Sequence, residues 1–255
     1  MIISITESCH MGCSHCMDDA RPCDKHMSMR TFQDAISFFN QFGGIECLIT
    51  GGEPTDNPEW LEMLKYVLEH AHGSTGTGIA HITLTTNAMN IANNRDIQTY
   101  LLLLMQRYPG KLNIQVTHVD QYYPHDVDLS QSFFQCGPVV VCKSIEAIYP
   151  MGRARDNKMP WQAKCSKCFN IRSATRSFRD LSKASIMLAM RGKFCTPQVS
   201  INGEVKLGES TLCPPCSSIY TGTEQLINDI CNFHCNGCDM INKHLTPEQR
   251  KAIGE

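Results

Sequence analysis

Residues 9–16 read CHMGCSHC and residues 49–55 read ITGGEPT, and these two stretches decide how the chain is interpreted. The first follows Ile3 and Ile5, which alternate with polar residues as in a short β-strand. The second ends an apolar run that begins at Ile45. In parallel strand–helix folds, ligands bind beyond the carboxyl ends of the strands, so loops that follow strands are the first place to look for a site.

The sequence around these loops alternates strand and helix patterns as far as residue 150. After Ser28, a possible helix cap, Phe32, Ala35, Ile36 and Phe39 recur at helical spacing. Further strands are predicted at 45–50, 80–86, 112–117 and within 139–149, with helices after Asn57-Pro58, at 96–107 and, weakly, at 128–135. Repeated strand–helix units predict an α/β fold with a parallel sheet or barrel.

Composition excludes several classes of protein. The chain has 255 residues, a net charge of −2 and 42% hydrophobic residues, the balance of a folded protein and not of a polycation that binds nucleic acid. Its apolar runs are far shorter than the roughly 20 residues that span a bilayer. The first residues carry no basic leader, so we expect no secretory signal and a cytoplasmic location.

Cysteine is unusually abundant, at 15 residues. In a reducing compartment this density favours metal or cluster ligation over disulfides. Three thiolates on one short loop, Cys9, Cys13 and Cys16, can hold three irons of a cubane cluster and leave the fourth iron open to a substrate or cofactor. The alternative is a structural zinc site that these residues complete with a later cysteine or histidine.

Cys-x3-Cys-x-His-Cys after a first strand and Gly-Gly-Glu-Pro after a second resemble the radical S-adenosylmethionine (SAM) superfamily. The resemblance implies a partial (β/α) barrel, here abbreviated to five or six strands because residues 117–139 leave room for only one crossover. It implies that Cys9, Cys13 and Cys16 hold a 4Fe–4S cluster whose open iron binds SAM. Reductive cleavage of SAM would then give a 5′-deoxyadenosyl radical that abstracts a hydrogen atom from the substrate.

The same resemblance implies a set of SAM contacts. Gly51 and Gly52 would let the backbone approach the methionine moiety, and Glu53 would help to position its amino group. The later contacts lie near the ribose and the adenine. The full set of implied cofactor-binding residues is Gly51, Gly52, Glu53, Pro54, Thr86, Asn87, Thr117, Gly152 and Arg153. Three residues beyond the fourth strand are candidate substrate contacts, with loop decoration as the alternative: His118, Asp120 and Tyr122.

The C-terminal cysteines resemble the small auxiliary-cluster domain called SPASM, or twitch in its shortened form. A hairpin with a two-residue Asn202-Gly203 turn and a helix at 223–230 separate the cysteines. The resemblance implies an auxiliary 4Fe–4S cluster, one or two in number, on Cys195, Cys213, Cys235 and Cys238. Less certain ligands are Cys216, Cys231, Cys165 and Cys168. The alternative is a zinc ribbon, which also places Cys-x2-Cys pairs around a hairpin.

These patterns predict three segments: a radical SAM partial barrel over 1–155, a basic connecting segment over 156–194 and a twitch-like or SPASM-like auxiliary-cluster domain over 195–255. The basic segment includes Arg172, Arg176, Arg179 and Lys183, which lie on one side of a predicted helix. These residues could receive a phosphate, an acidic peptide or nucleic acid, and a solvated helix face explains them equally without a ligand.

The resemblance implies an oxidoreductase or maturase that modifies a peptide by cross-linking, epimerisation or dehydrogenation, of the kind found in ribosomally made peptide natural products. It also implies an electron donor such as flavodoxin or ferredoxin. The chain begins at the first strand, without a segment to capture a leader peptide, which keeps a dehydrogenase acting on a small sugar or nucleoside compound as an alternative. The alternative from another class is a non-catalytic zinc protein that binds nucleic acid through its basic segment.

Overall fold

The computed structural model describes residues 2–41, 46–70, 79–119, 121–143, 148, 151–159, 197–207 and 214–232. The eight strands of these ranges form one sheet with the order β5-β4-β3-β2-β1-β6-β7-β8. Strands β1 to β5 are parallel, each paired with the next along the chain. The sheet is open, with β5 and β8 at its edges, and the predicted α/β fold with a parallel partial barrel is confirmed.

The elements of the first part of the chain follow the predicted order closely. Two short 3-10 helices interrupt the connections, at Pro54–Asp56 and Ser132–Gln135. The strands and helices are β1 (Ile2–Ser4), α1 (Met29–Gln41), β2 (Glu46–Thr50), α2 (Trp60–His70), β3 (His81–Thr86), α3 (Met89–Ala92), α4 (Arg95–Arg107), β4 (Leu112–Thr117), β5 (Val139–Cys142) and α5 (Gly152–Asp156). The C-terminal elements are β6 (Pro197–Val199), β7 (Glu204–Leu207), β8 (Pro215–Ser218) and α6 (Thr223–Asn232).

The central strands bury one face much more fully than the other. Ile82, Leu84 and Thr86 of β3 are buried, whereas Thr83 and Thr85 between them are half-buried. The same alternation continues in β4. Parallel sheets are usually covered on both faces, so a half-open face that carries threonine and glutamine side chains is the face available to a ligand. We call it the open face, and its polar members are Thr83, Thr85, Gln115 and Thr117.

Helices α1, α2 and α4 supply the other side of the core. Phe32, Ile36 and Phe39 of α1 lie at helical spacing and are buried, as the sequence pattern predicts. The side-chain oxygen of Ser28 accepts a hydrogen bond from the Thr31 N–H at 3.2 Å, so Ser28 caps this helix. The apolar stripe of each helix thus packs against the buried face of the parallel strands.

The connection between β4 and β5 differs from the prediction. The weak helical stretch predicted at 128–135 is only the 3-10 turn Ser132–Gln135. Its two buried phenylalanines, Phe133 and Phe134, pack in the core. The tighter turn buries both phenylalanines without a full α-helix.

The C-terminal hairpin is longer at its tip than predicted. Strands β6 and β7 are antiparallel, with Val199 opposite Val205. Ser200 N donates to Glu204 O, and Gly203 N donates to Ser200 O, each at 2.9 Å. The loop therefore holds three residues, 201–203, and the predicted two-residue turn is wrong. Gly203 has a φ of +78°, the left-handed conformation that ends such three-residue loops.

The hairpin extends the parallel sheet directly. Strand β6 pairs in parallel with β1, with Ile2 opposite Gln198 and Ile3 opposite Val199. Strand β1 is therefore an interior strand. No helix within the described ranges has the length and apolar character needed to cross a membrane.

Candidate active site

Residues 7–28 form the loop that carries the first three cysteines, and we call it the cysteine loop. Its outgoing and returning segments pair through the backbone. Met27 N donates to Ile5 O at 2.8 Å, and Glu7 N donates to Lys25 O at 3.0 Å. Cys9 N donates to Arg21 O at 3.3 Å. Main-chain hydrogen bonds thus tie the loop to the end of β1.

The loop brings its three cysteines to one place. Cys9 and Cys13 are buried in a small apolar cluster with Met11 and Ala20, and Cys16 packs against that cluster. Burial raises the pKa of Cys9 to about 11 and that of Cys13 to about 12. Both thiols are therefore protonated at neutral pH in the protein alone, and a bound cation would reverse this because it favours the thiolate.

These residues fit an iron–sulfur cluster. Three thiols are the soft ligand set that such clusters use. Across the described part of the chain, no three ligating side chains converge on a point that one ion would occupy. A cubane cluster does not need such a point, because each thiolate binds a different iron.

The two glycines after β2 allow the cysteine loop to lie against this strand end. Gly52 N donates to Thr6 O at 2.8 Å, and Glu53 N donates to Ser8 O at 2.7 Å. A Cβ atom on Gly51 would lie 2.3 Å from Thr6 O, and one on Gly52 would lie 2.2 Å from Ser8 O. Gly51 also has a φ of +149°. The glycines are thus required by contact with the chain's own backbone.

Glu53 is 3% exposed and joins the ends of β2 and β3. Its Oε1 accepts hydrogen bonds from the hydroxyls of Thr55 at 2.7 Å and Thr86 at 2.6 Å, and from Thr55 N at 3.2 Å. Its Oε2 accepts from Asn87 N at 2.7 Å. Burial raises the pKa of the Glu53 carboxyl, and the hydrogen bonds from Thr86, Asn87 and Thr55 oppose that shift. The carboxylate is therefore held firmly in place.

Neighbouring threonines of β3 face opposite sides of the sheet. Thr86, a predicted cofactor contact, is buried and bonded to Glu53. Thr85 lies on the open face, where its buried Oγ1 has no hydrogen-bond partner. The sequence analysis did not single out Thr85 by itself, although the alternation from Leu84 was a signal for it. Asn87 approaches the cluster ligands directly, with Nδ2 at 3.8 Å from Cys9 Sγ.

A second polar group beside Cys9 was missed by the sequence analysis. The Asp56 carboxylate is bonded to the Nδ1 of His10 at 2.8 Å and to the Nδ2 of Asn90 at 2.9 Å. The Ser8 hydroxyl donates to it at 3.4 Å. Asp56 directly continues the Gly-Gly-Glu-Pro-Thr stretch, and that position was the available signal. The network links the cysteine loop with α3.

Aromatic side chains from the segment that follows β4 pack beside the cysteine loop. The ring of His15 lies 5.2 Å from that of Tyr122, and the ring of His118 lies 4.7 Å from that of Tyr123. Tyr123 bonds to the side chain of Thr117, and its burial raises the pKa of its hydroxyl. Two candidate substrate contacts, His118 and Tyr122, are thus brought close to the cysteines. Asp120 lies outside the described residues.

Gly152 and Arg153 also lie against the cysteine loop, although in the sequence they come after β5, the last of the five consecutive parallel strands. Gly152 has a φ of +50°, and a Cβ atom there would lie 2.5 Å from Met17 O. The Arg153 guanidinium donates to the carbonyl oxygens of Cys13 and Ala20, both at 2.9 Å.

The predicted auxiliary site is described only in part. Cys216 lies in β8, and its Sγ donates to Val205 O at 3.2 Å. Cys231 lies in α6. The remaining predicted auxiliary ligands, first-choice and less certain, lie outside the described residues: Cys165, Cys168, Cys195, Cys213, Cys235 and Cys238. The basic residues predicted between 172 and 183 also lie outside them.

Comparison with known proteins now adds to this geometry. Residues 3–128 match the family model of the radical SAM superfamily. The chain is 30% identical over 96 residues to the GTP 3′,8-cyclase of Actinobacillus succinogenes, a match that covers 36% of this chain and 27% of that protein. It is 27% identical over 123 residues to the molybdenum cofactor biosynthesis protein moc-5 of Caenorhabditis elegans, covering 47% of this chain and 18% of that protein. The match to the first of these relatives thus spans about a quarter of its length.

Two solved structures share the fold over most of the chain. BtrN in complex with AdoMet and 2-DOIA has a TM-score of 0.50 at 13% identity, covering 95% of this chain and 83% of BtrN. Streptococcus suis SuiB bound to S-adenosylmethionine has a TM-score of 0.51 at 14% identity, covering 91% of this chain and 67% of SuiB.

Members of the matched superfamily are enzymes, and the family implies a 4Fe–4S cluster and SAM. The match covers the cysteine loop, the Gly-Gly-Glu-Pro stretch and the first four parallel strands. Residues 3–128 of this chain thus match the domain of the radical SAM superfamily.

Proposed function

We propose that this chain is a radical SAM enzyme that cleaves SAM reductively and abstracts a hydrogen atom from its substrate. The observation that carries the proposal is the grouping of three cysteines, two of them buried, in one loop that follows a strand of a parallel sheet. When bound, the cluster and SAM supply the electron and the 5′-deoxyadenosyl radical for this reaction. The chain's own residues would bind and orient the cofactors and the substrate and exclude water from the site.

Cys9, Cys13 and Cys16 would hold the cluster. Apolar neighbours around Cys9 and Cys13 exclude water from the thiolates, and the amide of Asn87 lies against the Cys9 sulfur. Both carboxylate oxygens of Glu53 accept hydrogen bonds, and these bonds keep the ends of β2 and β3 together at the site. A rigid site of this kind reduces the reorganisation needed when a charged cofactor binds.

The open face, together with the ends of its strands, would hold SAM. Thr85 offers a buried hydroxyl without a partner, which is the kind of group that a bound ligand satisfies. The implied SAM contacts remain part of this proposal: Gly51, Gly52, Glu53, Pro54, Thr86, Asn87, Thr117, Gly152 and Arg153.

We further propose an auxiliary 4Fe–4S cluster in the region 195–255. The support is the hairpin β6–β7 followed by α6, the order that the twitch or SPASM pattern requires between its cysteines. The three-segment division of the chain belongs to this proposal. A cytoplasmic location and an electron donor of the flavodoxin or ferredoxin type go with it, since a cluster enzyme of this kind needs a reducing compartment and a source of single electrons.

The first candidate substrate class is a peptide, modified by cross-linking, epimerisation or dehydrogenation. The second is a small sugar or nucleoside compound, and a specific observation favours it. The relative from Actinobacillus succinogenes carries the name GTP 3′,8-cyclase, and the structure of BtrN was solved with AdoMet and 2-DOIA. We therefore rank the small-molecule class level with the peptide class.

The experiment uses the full chain prepared without oxygen, and it compares the wild type with the triple variant Cys9→Ala/Cys13→Ala/Cys16→Ala. We expect the wild type to release 5′-deoxyadenosine from SAM and dithionite, and the triple variant to release none. Cys136→Ala is the matched control. Cys136 precedes β5, at the opposite end of the parallel strands from the cysteine loop, and we expect this variant to behave as wild type. Iron that the triple variant retains would report the auxiliary cluster.

A colourless wild-type protein that contains zinc and releases no 5′-deoxyadenosine would contradict the proposal. Equal yields from the wild type and the triple variant would contradict the assignment of the three cysteines.

A further inference from the structure

Helix α5 follows β5 in the sequence and forms hydrogen bonds with the cysteine loop. Its Arg153 binds groups of that loop that lie 133 to 140 residues earlier in the sequence. The guanidinium binds three groups of the loop. Nε donates to Cys13 O at 2.9 Å, Nη1 donates to the Asp19 carboxylate at 3.1 Å, and Nη2 donates to Ala20 O at 2.9 Å.

The contacts of Arg153 are largely shielded from water. Its side chain is 17% exposed, so its ion pair with Asp19 is screened less than a surface pair. A guanidinium is suited to this position because its planar fork presents several donors at fixed angles. One side chain therefore fixes three acceptors that lie on either side of Cys16 in the sequence, at residue 13 and at residues 19–20.

Neighbouring groups of the same segment reinforce the attachment. Ala154 N donates to Cys16 O at 3.3 Å, and the Asn157 side chain donates to Ser14 O at 2.9 Å. Gly152 permits the approach, because any Cβ there would meet Met17 O. The backbone carbonyls of two proposed cluster ligands, Cys13 and Cys16, thus each accept a hydrogen bond from this segment.

Arg21 offers a natural comparison within the loop itself. Its guanidinium also binds Asp19, with Nη2 at 3.1 Å. Its side chain is 70% exposed, and the hydrogen bonds described for its guanidinium all go to Asp19. Arg21 and Arg153 therefore share a partner and a charge, but only Arg153 binds the loop carbonyls.

We infer that Arg153 is a positioning residue that holds residues 13–20 in the shape that retains the cluster. This inference rests on the proposed function, since it requires the cluster on Cys9, Cys13 and Cys16. It gives Arg153 a role that operates before any substrate or SAM is bound. Groups that orient metal ligands from behind change metal retention by about 10-fold to 100-fold when they are removed.

The test uses full-length wild type and the variants Arg153→Met, Arg153→Lys and Arg21→Met, all reconstituted without oxygen. The first readout is the rate at which a ferrous chelator removes iron, after subtraction of the iron released by the triple cysteine variant. The second is the midpoint potential of the cluster, followed by its EPR signal. Thermal melting of the iron-free proteins checks the fold.

We expect Arg153→Met to release iron about 10-fold faster than wild type. Its midpoint potential should be more negative, because a positive charge that favours the reduced cluster is lost. Arg153→Lys should keep most of the potential but release iron at an intermediate rate, since it retains the charge without the fork. Arg21→Met should behave as wild type in both measurements. If Arg153 only stabilised the fold, Arg153→Lys would not keep the midpoint potential while releasing iron faster than wild type.

An iron-release rate and a midpoint potential like those of the wild type in Arg153→Met would overturn the inference. The proposed function would stand in that case as long as the wild type forms 5′-deoxyadenosine. Equal iron in the wild type and the triple cysteine variant would instead overturn the proposed function, and the inference with it. If iron-free Arg153→Met does not fold, Asp19→Asn decides. It weakens only one of the three contacts of Arg153, and Arg21→Met controls for the pair that Asp19 also forms with Arg21. Faster iron release from Asp19→Asn supports the inference, and an unchanged rate overturns it.

Discussion

Two buried polar side chains, Glu53 and Asn57, add side-chain hydrogen bonds between segments that meet at the site. Glu53 joins the end of β2 to the end of β3 through Thr86 and Asn87. Asn57 is fully buried and joins the two ends of the cysteine loop. Its Nδ2 donates to Ile5 O at 2.8 Å and to Met27 O at 3.0 Å. Single residues therefore set the shape of the site, because each satisfies several buried groups at once.

Asn57→Ala tests this at the residue scale. We expect the free energy of unfolding to fall by about 2–4 kcal/mol, because two buried carbonyls lose a donor and Glu59 N loses the acceptor Asn57 Oδ1. Urea denaturation of the iron-free protein measures the change. Asn113→Ala is the matched control, since Asn113 is exposed on β4, and we expect a much smaller effect. Equal losses in the two variants would show that the buried hydrogen bonds of Asn57 contribute nothing.

At the scale of elements, the cysteine loop depends on close contact with the end of β2. The residues Gly51 and Gly52 run beside Thr6 and Ser8, so the parallel pairing of β1 and β2 continues past the strands into the loop. The absence of side chains makes this continuation possible. Two loops that follow neighbouring parallel strands are thereby built as one unit.

Gly52→Ala tests this contact. A Cβ atom at this position would lie 2.2 Å from Ser8 O, so either β2 or the loop must shift, at a cost of about 1–3 kcal/mol. We expect a lower melting temperature of the iron-free protein and weaker iron retention in the reconstituted one. Gly137→Ala is the matched control, because a Cβ atom there meets nothing within 4 Å. A Gly52→Ala protein that melts and retains iron like Gly137→Ala would refute the close-contact explanation.

At the scale of the whole molecule, the hairpin β6–β7 and strand β8 continue the sheet of the first five strands. Strand β1 has a parallel neighbour on each side, β2 and β6. The strand that precedes the cysteine loop is therefore fixed from both sides, although it lies at the start of the sequence. The edge of the sheet on the barrel side is β5 instead.

Hydrogen exchange distinguishes an interior β1 from an edge β1. We expect the amides of residues 3–5 to exchange more slowly than those of residues 139–142 in the iron-free protein, because interior strands open only with the whole sheet. NMR exchange rates at neutral pH provide the measurement, and β5 is the internal reference for an edge strand. Exchange at 3–5 as fast as in β5 would mean that the hairpin does not pair with β1 in solution.

Local patterns in the sequence were enough for the elements and for the general location of the site. The spacing of Phe32, Ile36 and Phe39 predicted α1, and Leu112–Thr117 was predicted as a strand with its observed bounds. Cys9, Cys13 and Cys16 lie together because they share one short loop. These features depend on residues that are near each other in the chain, where periodicity and loop length are strong constraints.

Only the tertiary structure decided which distant groups meet. Two partners of Glu53, Thr86 and Asn87, lie 33 and 34 residues away, and those of Arg153 lie more than 130 residues away. The pairing of β6 with β1, and the choice of Thr85 over Thr86 for the open face, also depend on how the sheet is assembled. A pattern along the chain reports which face a residue shares with its neighbours, but not which segment packs there. That choice is made by packing of the whole core, to which every element contributes.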